Sequence, residues 1–315
     1  MAKGGNAATI DKAIYLMLLG HTWGIPHLHI GDVYFVNGFT GLNTNTGRTP
    51  DDPWLTIAYA LTRVVDDHDD YIIVMDHWQE AWPVLINKTR VHIIGVSSNP
   101  THPFVALNAA ADTDIFLLSV FGNNCEIAGF DFGGGPTHAG IGNVAGTPMG
   151  VFIHHNRFGH EFAGDTPQDG IRIDANITSY NISDNFFCGS FPGKGTITRD
   201  GIRINNGAVS LLSVIERNTF IVIPMVGVHL LQMARGTKIQ DNRFTTPEGA
   251  NGEAITLEAN TLGCLVDGNH AMSGGNNAMT RIPFRDLSTG PPVGSGNDWG
   301  QNFAGAAAAA LPVCA

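Results

Sequence analysis

Four segments of this chain share one pattern: IHHNRF (153–158), ISDNFF (182–187), IERNTF (215–220) and IQDNRF (239–244). Each has an Ile, an Asn three residues later and a Phe two residues beyond that. Ile127–Phe130–Phe132 extends the series backward and Val266–Asn269–Ala271 extends it forward, each with one deviation. The successive intervals between the middle positions are 26, 29, 33, 24 and 27 residues. A fixed core with elastic joints is what a solenoid requires, because each repeat buries its apolar face only against the next.

A second short segment precedes each of the later repeats: DGIRI (169–173), DGIRI again (200–204), GVHL (227–230) and EAITL (253–257). Ile171 and Ile173, Ile202 and Ile204, Val228 and Leu230, and Ile255 and Leu257 alternate with polar or charged residues. That is the period of a strand with one face inward. The reading predicts a parallel β-helix with coils about 4.8 Å apart and continuous internal columns of Ile and Phe. The Asn column is expected at a sharp bend, since Asn tolerates left-handed backbone, with its amides bonded from coil to coil. Gly170 and Gly201 are expected at the corner before their strands. Loops 159–168, 188–199 and 245–252 are expected to leave at one corner and build a contact face.

Composition agrees with many short strands and tight turns: of 315 residues 39 are Gly, and only 14% are charged. The formal net charge of −11 argues against a nucleic-acid or anionic-membrane partner, either of which needs a basic face. No apolar run is long enough for a membrane span. The apolar stretch IYLMLLG (14–20) is flanked by Asp11 and Lys12 and lacks an A-x-A-like cleavage site, so no signal peptide is expected. Cys125, Cys188, Cys264 and Cys314 are scattered, which predicts small buried apolar residues and no disulfide framework or zinc site. His154 and His155 are expected on opposite faces of a strand, unable to share one metal ion. The cluster His21, His27 and His29 lies in an irregular leader. No cofactor and no metal are expected.

Upstream, a short strand (33–36) leads into a Gly/Asn/Thr-rich loop. A helix is predicted next, with Asp51 or Asp52 as N-cap, Pro53 at its first position, and Trp54, Ile57, Ala58, Leu61 and Val65 on one face. Such a helix would plug the open end of the solenoid and hide its strand edges. The sequence YFVNGFTGLNTNTGRTPDDPWLTIAYAL (34–61), followed by DYIIVM (70–75) and RVHIIGV (90–96), resembles the N-terminal module of the pectin-lyase-like right-handed parallel β-helices. Within that family it is most similar to β-helical virion proteins of tailed bacteriophages, of the capsid-associated or tailspike type. The resemblance covers roughly residues 33–275 and implies the right-handed, single-stranded, all-β solenoid, with assembly as trimers.

Four regions follow: an N-terminal arm or anchor (1–32), a first strand and capping helix (33–70), the parallel β-helix (71–289), and a linker with an apolar C-terminal tail (290–315). The first functional expectation is a structural virion protein, a homotrimer that decorates or projects from a phage capsid or tail. It would be made in the host cytoplasm, attach to other virion proteins through residues 1–32 and the C-terminal tail, and adhere to cell-surface glycans. The alternative is a carbohydrate-active enzyme, a polysaccharide lyase or glycoside hydrolase. It would use the outer face carrying Asp169, Arg172, Asp174, Asp200 and Arg203, since such chemistry needs converging carboxylates and a basic group. Against it, the NTD, GHG and RIK clusters of the pectin hydrolases are absent, and the coil after Arg203 offers His229 and Gln232 where a lyase would want acids. The DGIRI charges read first as an exposed ion ladder, second as a sugar contact and third as a catalytic site.

Overall fold

The structure is a computed structural model that describes residues 31–77, 80–97, 104–109, 116–134, 139–143, 145–159, 168–176, 178–189, 197–246, 252–273, 283–288 and 296–305. Their strands form three sheets, and every pairing between them is parallel. Sheet A has ten strands, from Val33–Asn37 to Asp298–Trp299; sheet B has eight, from Val84–Ile86 to Phe284–Asp286; sheet C has eight, from Val105–Ala109 to Phe303–Gly305. From Val91–Gly95 onward the chain visits A, C and B in turn and returns to A one coil further on. This is the single-stranded parallel β-helix expected. A crossover between parallel strands of one sheet is right-handed almost without exception. Coils run across the boundaries drawn at 71 and 289, since Val33–Asn37 pairs with Asp70–Asp76 and Leu265–Asp267 pairs with Asp298–Trp299.

The repeat register is the one the sequence predicts. Ile127, Ile153, Ile182, Ile215, Ile239 and Val266 form one column of sheet A. Phe132, Phe158, Phe187, Phe220 and Phe244 form one column of sheet C, with successive ring centroids 4.7 to 4.8 Å apart and ring planes within 9° of parallel. All five rings are buried, each contributing on the order of 1.5–3 kcal/mol through burial.

The Asn column lies between sheets A and C, and its amides bond in series. Asn185 shows the full set: its Nδ2 donates to the Ile153 carbonyl at 2.9 Å and to Asn218 Oδ1 at 3.1 Å, and its Oδ1 accepts from Asn156 N and Nδ2. The left-handed residue is not the Asn, however, but the one before it: His155, Asp184, Arg217, Asp241 and Gly268 have φ between 50° and 66°. The bend therefore tolerates varied residues, while the Asn is held for its amide, which satisfies backbone groups the bend leaves unpaired.

Gly170 and Gly201 are not corner residues. They stand inside the sheet-B strands Asp169–Ile173 and Asp200–Leu211. A Cβ at either would lie 2.6 Å from the ring of Phe187 or Phe220, so these glycines make room for the Phe column.

The helix, Ile57–Arg63, starts later than predicted. Trp54 is held extended by a bridge to Val36, and the Asp52 carboxylate accepts from Thr46 N at 3.0 Å and from its hydroxyl. Thr56 is the N-cap, and Glu80 accepts from the next two amides, Ile57 N at 2.8 Å and Ala58 N at 3.2 Å. The buried stripe is Ile57, Ala60, Leu61 and Val64, at helical spacing, whereas Val65 is exposed. The helix packs on the first strands of sheets A and B, in the core at the N-terminal end of the stack. A smaller apolar cluster lies on the outer side of sheet A, where Val33, Tyr71 and Ile73 are buried with Phe35, Met75 and Ile94 against them.

Residues 1–30 and 306–315 lie outside the described residues, as do most of the three loops assigned to a contact face. The described flanks show that each of those loops connects sheet C to sheet B. Cys125, Cys188 and Cys264 are buried and in no disulfide, and burial pushes the Cys125 thiol up to about 12 and Cys264 to about 11. Cys314 and the histidines at 21, 27 and 29 fall outside the described residues.

Candidate functional site

The outer face of sheet B gathers the charged residues of the repeat. Aligned by register, its strands read DGIRI (169–173), DGIRI (200–204), VGVHL (226–230) and EAITL (253–257), with an acid following the first and the last to give DGIRID (169–174) and EAITLE (253–258). Arg172, Arg203, His229, Thr256 and Arg285 form one outward column. Arg172 and Arg203 are thus stacked, as the alternation predicts. The aspartates are a different matter.

Asp169 and Asp200 are fully buried, at 0% exposure, so the exposed ladder expected from sequence is not what forms. Arg199, the residue before the second DGIRI, reaches one coil back and grips Asp169 with two nitrogens, Nε donating to Oδ1 at 2.9 Å and Nη2 to Oδ2. The backbone N of Asp200 also donates to Asp169 Oδ1, at 3.2 Å. Burial raises the Asp169 carboxyl above its ordinary range, against the pull of Arg199. Asp200 accepts from Arg203 Nη1 at 2.8 Å and Val226 N at 3.1 Å, and lies 3.1 Å from His229 Nδ1. Arg172 pairs with the residue that follows its strand, its Nε 2.6 Å from Asp174 Oδ2. Of the five candidate residues, Asp200 and Arg203 therefore meet directly. Asp169 joins them through Arg199, which stands 3.8 Å from Asp200, and Arg172 with Asp174 forms a separate pair.

The space for a ligand opens one coil further on. A cleft of about 200 Å³ is lined by Met225, Val226, His229, Glu253, Thr256, Glu258 and Arg285. His229 is fixed between two carboxylates, with Nδ1 toward buried Asp200 and Nε2 3.4 Å from Glu258 Oε1. Glu253 accepts from the Thr256 hydroxyl and from Arg285 Nη1, the latter at 3.1 Å. Sequence reasoning passed over Glu253, Glu258, Arg285 and Arg199. The signal for two of them was present, because EAITLE repeats the acids of DGIRID at both ends.

A second charged cluster crosses the outer face of sheet A. Glu126 Oε2 lies 2.6 Å from His92 Nδ1, and its Oε1 lies 2.8 Å from His154 Nε2. Burial pushes this carboxyl up, but the two imidazoles outweigh it and hold Glu126 at about 2. His154 and His155 do not diverge as a continuous strand would make them. The strand ends at His154, His155 turns left-handed, and their Nδ1 atoms come within 2.8 Å. Burial, followed by the charge of His154, lowers the His155 imidazole below its ordinary range. Among the described residues no group of three or more His, Cys, Asp or Glu side chains is arranged to hold a metal ion.

No protein-family model matches the chain, and a search of the curated proteins finds no relative. Among solved structures, the GH136 lacto-N-biosidase from Eubacterium ramulus superposes with a TM-score of 0.63 at 12% identity, over 87% of this chain and 56% of that one. This chain therefore spans little more than half of that protein. An alginate lyase from Paenibacillus sp. str. FPU-7 gives a TM-score of 0.37 at 12% identity over 79% of this chain and 96% of that one. The Dettilon tailspike protein gives 0.31 at 11% identity over 79% of this chain and 63% of that one. At 12% identity the likeness to the lacto-N-biosidase is one of fold, a parallel β-helix.

Proposed function

We propose that the protein is a non-enzymatic, glycan-adhering β-helix of a phage virion surface, and that the outer face of sheet B is where it meets saccharide. The observation carrying the saccharide reading is the cleft around His229. It brings carboxylates, an imidazole, a guanidinium and a hydroxyl into about 200 Å³, the mixed donors and acceptors that sugar hydroxyls require. The virion setting, capsid or tail, rests on the resemblance of residues 33–275 to phage β-helical proteins. The same setting carries the proposed homotrimer and its attachment to other virion proteins through residues 1–32 and the C-terminal tail.

Binding is favoured over catalysis because Asp169 and Asp200, the carboxylates of the enzyme alternative, are buried and held by Arg199 and Arg203. A substrate has no access to them. One observation favours the enzyme reading: Asp200 orients the His229 imidazole at the edge of an open cleft, the arrangement of a general base with its orienting acid. A glycan array separates the two. Binding of a surface glycan that falls by about tenfold or more in His229→Ala and Arg285→Ala, with no new reducing or unsaturated ends, supports adhesion. Product release that is lost in His229→Ala transfers the site to the enzyme reading. Binding unchanged by both substitutions removes the cleft from the account.

A further inference from the structure

The charges around the His229 cleft do not balance, and the imbalance has a direction. Of the side chains lining it, Glu253 and Glu258 are carboxylates and Arg285 is the guanidinium, two against one. Arg285 is already bonded to Glu253 at 3.1 Å. Behind the lining, Arg203 lies 3.4 Å from His229 Nδ1 and is bonded to Asp200 at 2.8 Å. Among the described residues, each of these two cations thus already faces a carboxylate. Glu258 is placed differently. Its side chain is 35% exposed against 43% for Arg285, but its contact with His229 is 3.4 Å long, at the outer limit of a hydrogen bond. It presents acceptor oxygens to the opening at the end of the strand Glu253–Leu257.

A ligand carboxylate entering here would have to share Arg285 with Glu253 and stand beside Glu258, and like charges brought together discriminate against a partner. An ammonium group meets Glu258 in competition only with the long His229 contact, and the formal charge of −11 on the whole chain favours its approach. Resting on the saccharide-binding reading, we propose that the cleft is a subsite for an amino sugar bearing a free, protonated amine, received by Glu258, and that it rejects uronates. His229, on the outward column, faces the hydroxyls of the same sugar ring.

The test is calorimetric titration of the full chain with three oligosaccharides of equal length: glucosamine oligomers, their N-acetylated counterparts and oligogalacturonate. The glucosamine oligomer is expected to bind about tenfold more tightly than its acetylated form, and the galacturonate not measurably. Added salt narrows the difference. Glu258→Gln abolishes most of the preference while the acetylated oligomer still binds, and Glu258→Lys turns it toward the galacturonate. Because this side chain is partly exposed at a strand end, both variants are expected to fold, which the circular dichroism spectrum verifies. Galacturonate bound as tightly as glucosamine overturns the proposal. So does a glucosamine preference that survives Glu258→Gln, since it would come from the general negative charge. Failure of all three ligands sinks the saccharide reading of this cleft itself.

Discussion

Glu126 shows how much one side chain can carry when its neighbours are chosen for it. It is buried on the outer face of sheet A, yet His92 and His154 approach its two oxygens and hold it at about 2, against an ordinary value of 4.5. A depressed folded-state carboxyl contributes stability that is present above its unfolded value and lost as the pH falls through the folded one. The contribution is therefore complete above about pH 4.5 and disappears toward about pH 2. Denaturation midpoints measured across that window should show the wild type's advantage over Glu126→Gln shrinking steadily with acid. An advantage that stays constant would mean that Glu126 is not held ionised. None of this was legible in the sequence. His92, Glu126 and His154 are separated by 34 and 28 residues, and only coil stacking brings them together.

At the scale of the element, the DGIRI strand and the NxF strand are complementary pieces of one coil. Gly170 and Gly201 leave room for Phe187 and Phe220, and Gly227 does so for Phe244. In the next coil the Phe column gives way to Ala271, and the matching sheet-B position is Ala254 in place of glycine. The chain thus exchanges ring volume for a methyl group across the core, as close packing requires. Phe220→Ala should cost about 3–5 kcal/mol through the cavity it leaves. Gly201→Ala should also destabilise, because its new carbon would fall 2.6 Å from the Phe220 ring. The double variant should lose less than the sum of the two, as coupled neighbours do. Strict additivity in urea denaturation would refute the contact. The Phe column was legible from its spacing. The partnership with glycine was not, because it joins residues on different sheets.

For the whole molecule, the stack has two ends, and each strand edge left bare invites further pairing. The helix Ile57–Arg63 packs at the N-terminal end. At the other end the outermost strands are Phe284–Asp286, Asp298–Trp299 and Phe303–Gly305, with Phe303 exposed. The proposed trimer has a direct measurement: sedimentation equilibrium should return three times the chain mass of 33.5 kDa. A clean 33.5 kDa species at micromolar concentration would overturn it.

The sequence alone determined the repeat, the strand period and the register of the Ile, Phe and Asn columns. Each is a property of spacing along one chain, and a solenoid turns spacing directly into neighbourhood. It also marked DGIRI as one strand seen on consecutive coils, since Arg172 pairs with Arg203 and Ile171 with Ile202. Only the tertiary structure decided what became of the charges. Burial of Asp169 and Asp200 depends on how far each corner is covered, and Arg199 reaches back across a coil to meet the first of them. The open cleft fell one coil later, at His229, Glu253 and Glu258. Alternation along a strand sets which side chains point outward, but solvent access depends on neighbours from other coils, which one strand's sequence does not contain.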